Sequence, residues 1–225
     1  MAFLSIAIDG PAGAGKSTLA RRLAEALGFL YVDTGAIYRT VGLFAQKQGK
    51  DCGDEGQVAE ILPKISISLS YEADGVQHMY LQGEDVTEEI RQNRVSGYAS
   101  QVAAMPKVRD FLVEMQRELS RKHHVVMDGR DIGTVILPQA DVKIFLTASA
   151  EKRAQRRFAE LAAKGTDVPF SQVLSEIENR DAADYNREIA PLRRAKGALL
   201  LDTSDMSLEE SFQALFSLVK ENISL

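Results

Sequence analysis

Gly10, Pro11, Ala12, Gly13, Ala14, Gly15, Lys16 and Ser17 fit the pattern G-x-x-x-x-G-K-[ST], a loop whose chemistry is the binding of phosphate. Its glycines let the backbone turn tightly and approach an anion without a Cβ in the way. The loop N–H groups, with the first turn of a following helix, offer partial positive charge. Lys16 can reach β- and γ-phosphates, and the Ser17 hydroxyl can join Mg²⁺. A Gly-rich turn capping an ordinary helix would carry the same glycines. It would not require the lysine and hydroxyl that close the pattern.

Four further groups of residues could do chemistry on a phosphorylated ligand. Asp33-Thr34-Gly35 leads to Tyr38 and Arg39. Asp128-Gly129-Arg130-Asp131 follows an apolar run, where an acid could hold Mg²⁺ through water. Capping a turn before Gly129 is the plainer role for Asp128. Arg130 and Asp131 are adjacent and so point in different directions, which predicts that both are free for a ligand. Arg153, Arg156 and Arg157 share a helix face, with Lys152 and Lys164 nearby. They make either a solvated basic surface or a set of mobile arginines for a spreading phosphoryl charge. Arg180, Asp184 and Arg187 are spaced i, i+4 and i+7, with Arg193 and Arg194 beyond. As an exposed ion pair this group is worth only about 0.3–0.5 kcal/mol. As a second anion site, its planar forks suit phosphate or a pyrimidine carbonyl edge better than lysine would.

These groups must be positioned by elements legible in the hydropathy pattern. Phe3 to Ile8 has strand length, and Thr18 to Leu27 carries Leu19, Leu23, Ala26 and Leu27 on one helical face. Further strands are expected at Phe29–Val32, Val125–Met127, Val142–Leu146 and Ala198–Asp202. Helices are expected through Tyr38 to Phe44, over Ala99–Ala104, Lys107–Leu119, Ala150–Ala163 and Phe170–Asn186, and from Leu208 to Lys220. Strand alternating with helix means a parallel α/β sheet. Ligands then gather at the carboxyl ends of its strands, where the phosphate loop, Asp33–Arg39 and Asp128–Asp131 all fall; Asp202-Thr203 is a candidate to join them. Ile65 to Tyr71 instead alternates with period two. A turn at Glu72–Gly75, a run from Val76 to Leu81 and a turn at Gln82–Asp85 follow, so a small antiparallel insert is expected. Thr87 is a candidate helix cap beyond it, and Gly49–Gly56 reads as a linker. Gly165–Pro169 has the composition of a short flexible lid that would exclude water from a reacting phosphoryl group.

The 225 residues suit one large domain, and a hydrophobic fraction of 45% suits a buried core. A net charge of −5 argues against a nonspecific nucleic-acid binder. Cys52 is the only cysteine, which fits a reducing compartment. No signal peptide or membrane span is visible, so the expectation is a cytoplasmic protein, with nothing that demands a partner chain. His78, His123 and His124 form neither a triad nor a metal-ligand cluster.

Taken together the chain resembles the bacterial-type cytidylate kinases. The resemblance runs from Ile6 to near the C-terminus. It rests on Ile8–Ser17, Asp33–Arg39, Ser100-Gln101-Val102-Ala103-Ala104, Asp128–Thr134, and Asn179-Arg180-Asp181 continuing to Asn186-Arg187. It implies a P-loop NTPase α/β fold with a five-stranded parallel sheet flanked by helices. A small antiparallel β insert at 63–92 would help bind the nucleoside monophosphate, and 153–170 would form a short lid. Gly10 through Ser17, with Thr18, would hold ATP, and Ser17 and Asp128 (through water) would hold Mg²⁺. Lys16, Arg130, Arg153 and Arg157 would be catalytic. Arg39 and Arg130 would grip the phosphate of CMP or dCMP, with Thr34 and Tyr38 lining that pocket. Ser100, Arg109 and Asp131 would read the cytosine edge. Arg180 and Asp184 would hold the ribose, and Arg187 the phosphate or base side. Ser17 and Thr34 depart from the family pattern, but each keeps or adds a hydroxyl.

The residues themselves leave other functions open. A kinase of the same fold could act on UMP, AMP or a non-nucleotide acceptor. A nucleotide-dependent switch would need no acceptor, but the N/T-K-x-D motif of GTPase switches is absent. A nucleic-acid-dependent ATPase fits poorly with the acidic balance.

Overall fold

The computed structural model of the chain describes residues 3–72 and 77–223. Its central sheet is built from β1 (Ser5–Asp9), β2 (Leu30–Asp33), β6 (Val125–Gly129), β7 (Val142–Thr147) and β8 (Leu199–Asp202). All pair in parallel, in the order β2-β6-β1-β7-β8. Between β2 and β6 lie α2 (Thr34–Lys47), α3 (Glu55–Ile61), the antiparallel strands β3 (Ile67–Tyr71), β4 (Gln77–Leu81) and β5 (Glu84–Asp85), then α4 (Asn93–Val102) and α5 (Pro106–Lys122). The remaining helices are α1 (Lys16–Leu27), α6 (Ala150–Ala163), α7 (Phe170–Asn186) and α8 (Leu208–Asn222).

Alternation along the strands builds two cores, one on each face of the sheet. Ile6, Ile8, Val126, Ile144 and Leu146 pack with Leu19 and Leu23 of α1 and Leu215 and Val219 of α8. Ala7, Val32, Val125 and Met127 face the other way, against Ile37 and Val41 of α2, Val95 and Val102 of α4, and Val108 and Leu112 of α5. β1 lies between β6 and β7. The chain leaves β1 for the first face, through α1, and leaves β6 for the second, through Ile132 and Ile136. These diverging connections open a crevice at the carboxyl ends of β1 and β6, the place where such sheets bind ligands.

Several expectations are corrected here. The stretch read as a linker contains the cap and start of α3, because the Asp54 side chain accepts from Gln57 N and nucleates a helix. Thr87 does not cap a helix; its Oγ1 accepts from Met79 N at 2.9 Å and ties down β4. A single 3₁₀ turn, Glu89–Arg91, follows, and α4 starts at Asn93, ahead of the expected Ala99. Ala73 to Gly75 of the expected turn, and Val76, lie outside the described residues.

α2 and α4 cross closely because residue 42 has no side chain. A Cβ on Gly42 would lie 2.7 Å from Tyr98 Cβ and 3.1 Å from its carbonyl carbon. Gly42→Ala should therefore lower stability by about 1–3 kcal/mol through overpacking, despite the roughly 1 kcal/mol of helix propensity that alanine adds. Thermal or urea unfolding checks this; a variant more stable than the wild type would contradict the close crossing.

Candidate active site

The phosphate loop leaves β1 at a residue that only glycine can supply. Gly10 has φ +154°, and a Cβ there would sit 1.9 Å from Leu146 O. Gly13 and Gly15 are left-handed, at φ +74° and +88°. Gly15 occupies the N-cap position of α1 without a side-chain hydrogen bond, so no side chain fills the first-turn N–H groups that favour an anion. Arg153 braces the loop from outside, donating to Ala12 O at 3.0 Å and Ala148 O at 2.8 Å. It also forms a two-pronged pair with Asp181 at 3.0 and 2.5 Å.

Lys16 is buried and donates to Pro11 O at 2.6 Å. Burial, reinforced by Arg130, lowers its amine to about 7. Beside it, Asp128 ties three elements together. Its Oδ2 accepts from Ser17 Oγ at 2.9 Å and its Oδ1 from Tyr31 OH at 2.8 Å. Its carbonyl accepts from Thr34 Oγ1 at 2.7 Å. Burial, and the nearby Asp33 charge, raise the Asp128 carboxyl to about 6. Asp9 joins the loop strand to the turn after β6, accepting from Ile132 N at 2.7 Å and Gly133 N at 2.8 Å. Burial raises it to about 6 in spite of those N–H groups. The turn itself is wide: Ile136 N donates to Asp131 O and Leu137 N to Ile132 O. This i→i+5 pattern is one that recurs at functional sites.

Below the loop opens a cleft lined by Ala12, Gly13, Lys16 and Ser17 and by the arginine-bearing residues from the other strand ends. Thr34, Tyr38, Arg39, Ser100, Arg109, Arg130, Asp131, Arg180, Asp184 and Arg187 all line it. Every residue assigned to CMP through the resemblance is therefore brought to one place. Six basic and four acidic side chains face this cleft, a local positive excess in an acidic protein. Arg39 pairs with Asp33 at 2.8 Å, and Arg130 Nε with Asp184 Oδ2 at 2.7 Å. Arg109 pairs with Asp131, whose other oxygen lies 3.6 Å from Arg187 Nη2. The guanidinium of Arg109 also lies over the Tyr38 ring, 5.8 Å from its centroid.

Arg130 and Asp131 are thus not left free, as their adjacency suggested. Each finds an opposite charge from a distant segment, because an unpaired buried charge would cost several kcal/mol. The pairing still leaves donors over. Arg39 Nε, Arg180 Nε and Arg187 Nη2 have no hydrogen-bond partner among the described residues. Burial, reinforced by Arg130, lowers Arg180, and burial also lowers Arg187 against the opposing pull of Asp131. Burial alone would raise Asp184, but Arg130 and Arg180 hold it below the usual carboxylate range. Asp131 is raised by burial even beside Arg109 and Arg187.

A second cavity lies on the other side of the loop, lined by residues 13–19, Arg156, Glu160, Thr203, Met206, Ser207, Leu208 and Ser211. Arg156 reaches it by donating to Thr203 O at 2.5 Å. Arg157 does not line that cavity; it is half-buried and pairs with Glu160 at 3.1 Å. The helical spacing placed the three arginines on one broad face but could not say which would turn toward β8. Tyr31 is a site residue that sequence reasoning did not single out, and Asp33, Asp181 and Arg156 were named there without a role of their own. Their partners are remote in sequence, and only Thr203, beside the end of the last strand, gave a hint.

Moving a phosphoryl group between two molecules requires two anion sites with a common wall, and Gly13, Lys16 and Ser17 belong to both cavities. In class, the protein is an ATP-dependent nucleoside monophosphate kinase with a P-loop fold. Within that class the chain belongs to the cytidylate kinase family, whose model matches residues 6–221. It is 52% identical over 215 residues to a cytidylate kinase of Caldicellulosiruptor bescii, covering 96% of this chain and 95% of that one. It is 48% identical over 219 residues to a cytidylate kinase of Caldanaerobacter subterraneus subsp. tengcongensis, covering 97% and 96%. A cytidylate kinase of Leuconostoc mesenteroides is 46% identical over 224 residues, the full length of both chains.

The lowered Lys16 amine gives a signed prediction. Burial favours its neutral form, and a polyphosphate beside it favours the charged form. ATP binding at mildly alkaline pH should therefore take up protons. Calorimetry in buffers of different ionisation enthalpy measures this. The uptake should vanish in Lys16→Met; no uptake by the wild type would contradict the reading.

Proposed function

We infer that this kinase transfers the γ-phosphoryl group of ATP to CMP or dCMP across the shared loop, giving ADP and CDP or dCDP. An oxygen of the acceptor phosphate attacks the γ-phosphorus in line, and the bond from that phosphorus to the β,γ-bridging oxygen breaks. The acceptor oxygen is already anionic, so no strong general base is needed. Positioning and charge neutralisation supply the rate. The observation that supports this most is the convergence of all ten proposed acceptor residues on one cleft that adjoins Lys16.

In this reading residues 10–18 hold ATP, with the adenosine side in the cavity of Arg156 and Thr203. Arg39 and Arg130 grip the acceptor phosphate. Ser100, Arg109 and Asp131 read the cytosine edge. A carboxylate accepts from the exocyclic amino group of cytosine and repels the carbonyl that uracil presents there. Arg180 and Asp184 hold the ribose, and Arg187 the phosphate or base side. Arg153 is the lid arginine best placed to act, since it already touches the loop at Ala12. Arg157 would reach the phosphates only if α6 moved. The helix pair α6 and α7, joined by the turn at 164–169 and packed through Ala154, Leu161, Val173 and Ile177, is the proposed lid; β3 to β5 are the proposed monophosphate-binding insert.

Ser17 Oγ and the Asp128 carboxylate, converging on one another, are hard oxygen donors suited to Mg²⁺. No cluster of three or more His, Cys, Asp or Glu able to hold a metal occurs among the described residues, so the nucleotide phosphates and water would supply the other ligands. When bound, the ion would neutralise charge on the phosphates. In this reading the protein acts as a monomer. No helix among the described residues is long and apolar enough to cross a membrane, and a cytoplasmic setting fits the single cysteine.

ADP formation from ATP and Mg²⁺ should be fast with CMP and dCMP and at least about tenfold slower with UMP, AMP, GMP or no acceptor, as expected for a site built around buried hydrogen-bonding groups. Turnover that favours another acceptor would overturn the base assignment and leave the phosphoryl chemistry in place.

A further inference from the structure

The outer edge of the central sheet is the open side of β2. There the backbone N–H and C=O of Asp33, its last residue, face away from β6. No strand covers them. Instead the side chain of Gln77, at the start of β4 in the small sheet, supplies a primary amide in the place of a peptide group. Its Oε1 accepts from Asp33 N at 2.9 Å, and its Nε2 donates to Asp33 O at 3.3 Å. Gln77 is 6% exposed, and the same Nε2 donates to Met79 Sδ at 3.1 Å. A polar side chain this buried is costly unless its hydrogen-bonding groups are met, and here both atoms are met by β2 and its own strand.

The residue so gripped has two tasks. Asp33 Oδ1 accepts from Ala36 N at 2.9 Å and caps α2, while Oδ2 holds Arg39 at 2.8 Å. Arg39 has little else to fix it, since its Nε has no hydrogen-bond partner among the described residues. Its direction thus depends on the placing of Asp33, and that placing depends on an amide from the other sheet. Gln77, Asp33 and Arg39 also line a common cavity between the small sheet and α1.

We propose that Gln77 is a positioning residue for the acceptor phosphate: through the backbone of Asp33 it couples the small antiparallel sheet to the guanidinium of Arg39. This rests on the assignment of Arg39 to that phosphate. Gln77 itself touches no substrate. The coupling is specific to the phosphate end of the acceptor, because Arg109, Asp131 and Ser100, which face the base, are held by other elements.

The test is steady-state kinetics of Q77A, Q77E and R39A, with inhibition by cytidine, which lacks the phosphate, as the discriminating readout. Q77A should raise the KM for CMP about tenfold and leave the KM for ATP and the inhibition constant of cytidine within twofold of wild type. Q77E keeps the acceptor for Asp33 N and loses the donor to Asp33 O. It should shift the CMP KM in the same direction, and it carries the test if Q77A does not fold. In an R39A background Q77A should add no further loss, as expected for residues acting in one chain of contacts. An unchanged CMP KM in the glutamine variants, or a parallel loss for ATP, CMP and cytidine, would overturn the proposal. If R39A itself left the CMP KM unchanged, the assignment of Arg39 would fail and the coupling with it. If R39A raised it and the glutamine variants did not, only the coupling would fail.

Discussion

Charge is buried at the carboxyl edge of this sheet on a scale that only pairing can sustain. Lys16, Arg109 and Arg153 are each about 5% exposed or less; Lys16 is met by a carbonyl of its own loop, and the two arginines by carboxylates from other parts of the chain. Removing one partner of such a pair costs roughly 3–5 kcal/mol, so the pairs knit the elements together around the cleft. Arg130 with Asp184 joins the turn after β6 to α7, and Arg153 with Asp181 joins α6 to α7. Arg109 with Asp131 joins α5 to that same turn. The hydrophobic cores on the two faces carry the mass of the fold; the ion pairs decide how its upper edge is arranged.

The same constraint accounts for function. A protein of net charge −5 handles two polyanions because the charge that matters is local. Carboxylates keep the arginines in place, while Arg39 Nε, Arg180 Nε and Arg187 Nη2 have no hydrogen-bond partner among the described residues. Preorganised charge of this kind is what phosphoryl transfer asks of a protein, since little covalent chemistry falls to the enzyme. Lys16 and Asp128 show the tension most plainly. Burial draws both toward their neutral forms, and a bound polyphosphate relieves that for Lys16.

Much of this is legible in the sequence. The phosphate loop, the five parallel strands and the antiparallel insert follow from local pattern, because glycine geometry and the two hydrophobic periods act over a few residues. The residues assigned to CMP through family resemblance line one cleft below the loop. Pairings across long separations were not legible: Arg130 meets Asp184 across 54 positions and Arg153 meets Asp181 across 28. A helical period assigns a side chain to a face, and the broad face holding Arg153, Arg156 and Arg157 meets the loop, the end of β8 and solvent in turn. Thr87 looked like a cap because threonine favours that role locally. Tertiary packing took its hydroxyl for the backbone of β4 instead.

The central claim is that the charged residues at this edge read the acceptor as well as hold it, and Asp131 carries that claim. Its carboxylate is buried against Arg109 and Arg187, with no donor of its own to offer uracil. The most direct measurement is the ratio of kcat/KM for CMP to that for UMP in wild type and in Asp131→Asn, whose amide can either accept or donate. The account predicts that the ratio falls by about tenfold or more, with the KM for ATP unchanged. A ratio that stays constant while both activities fall together would contradict it.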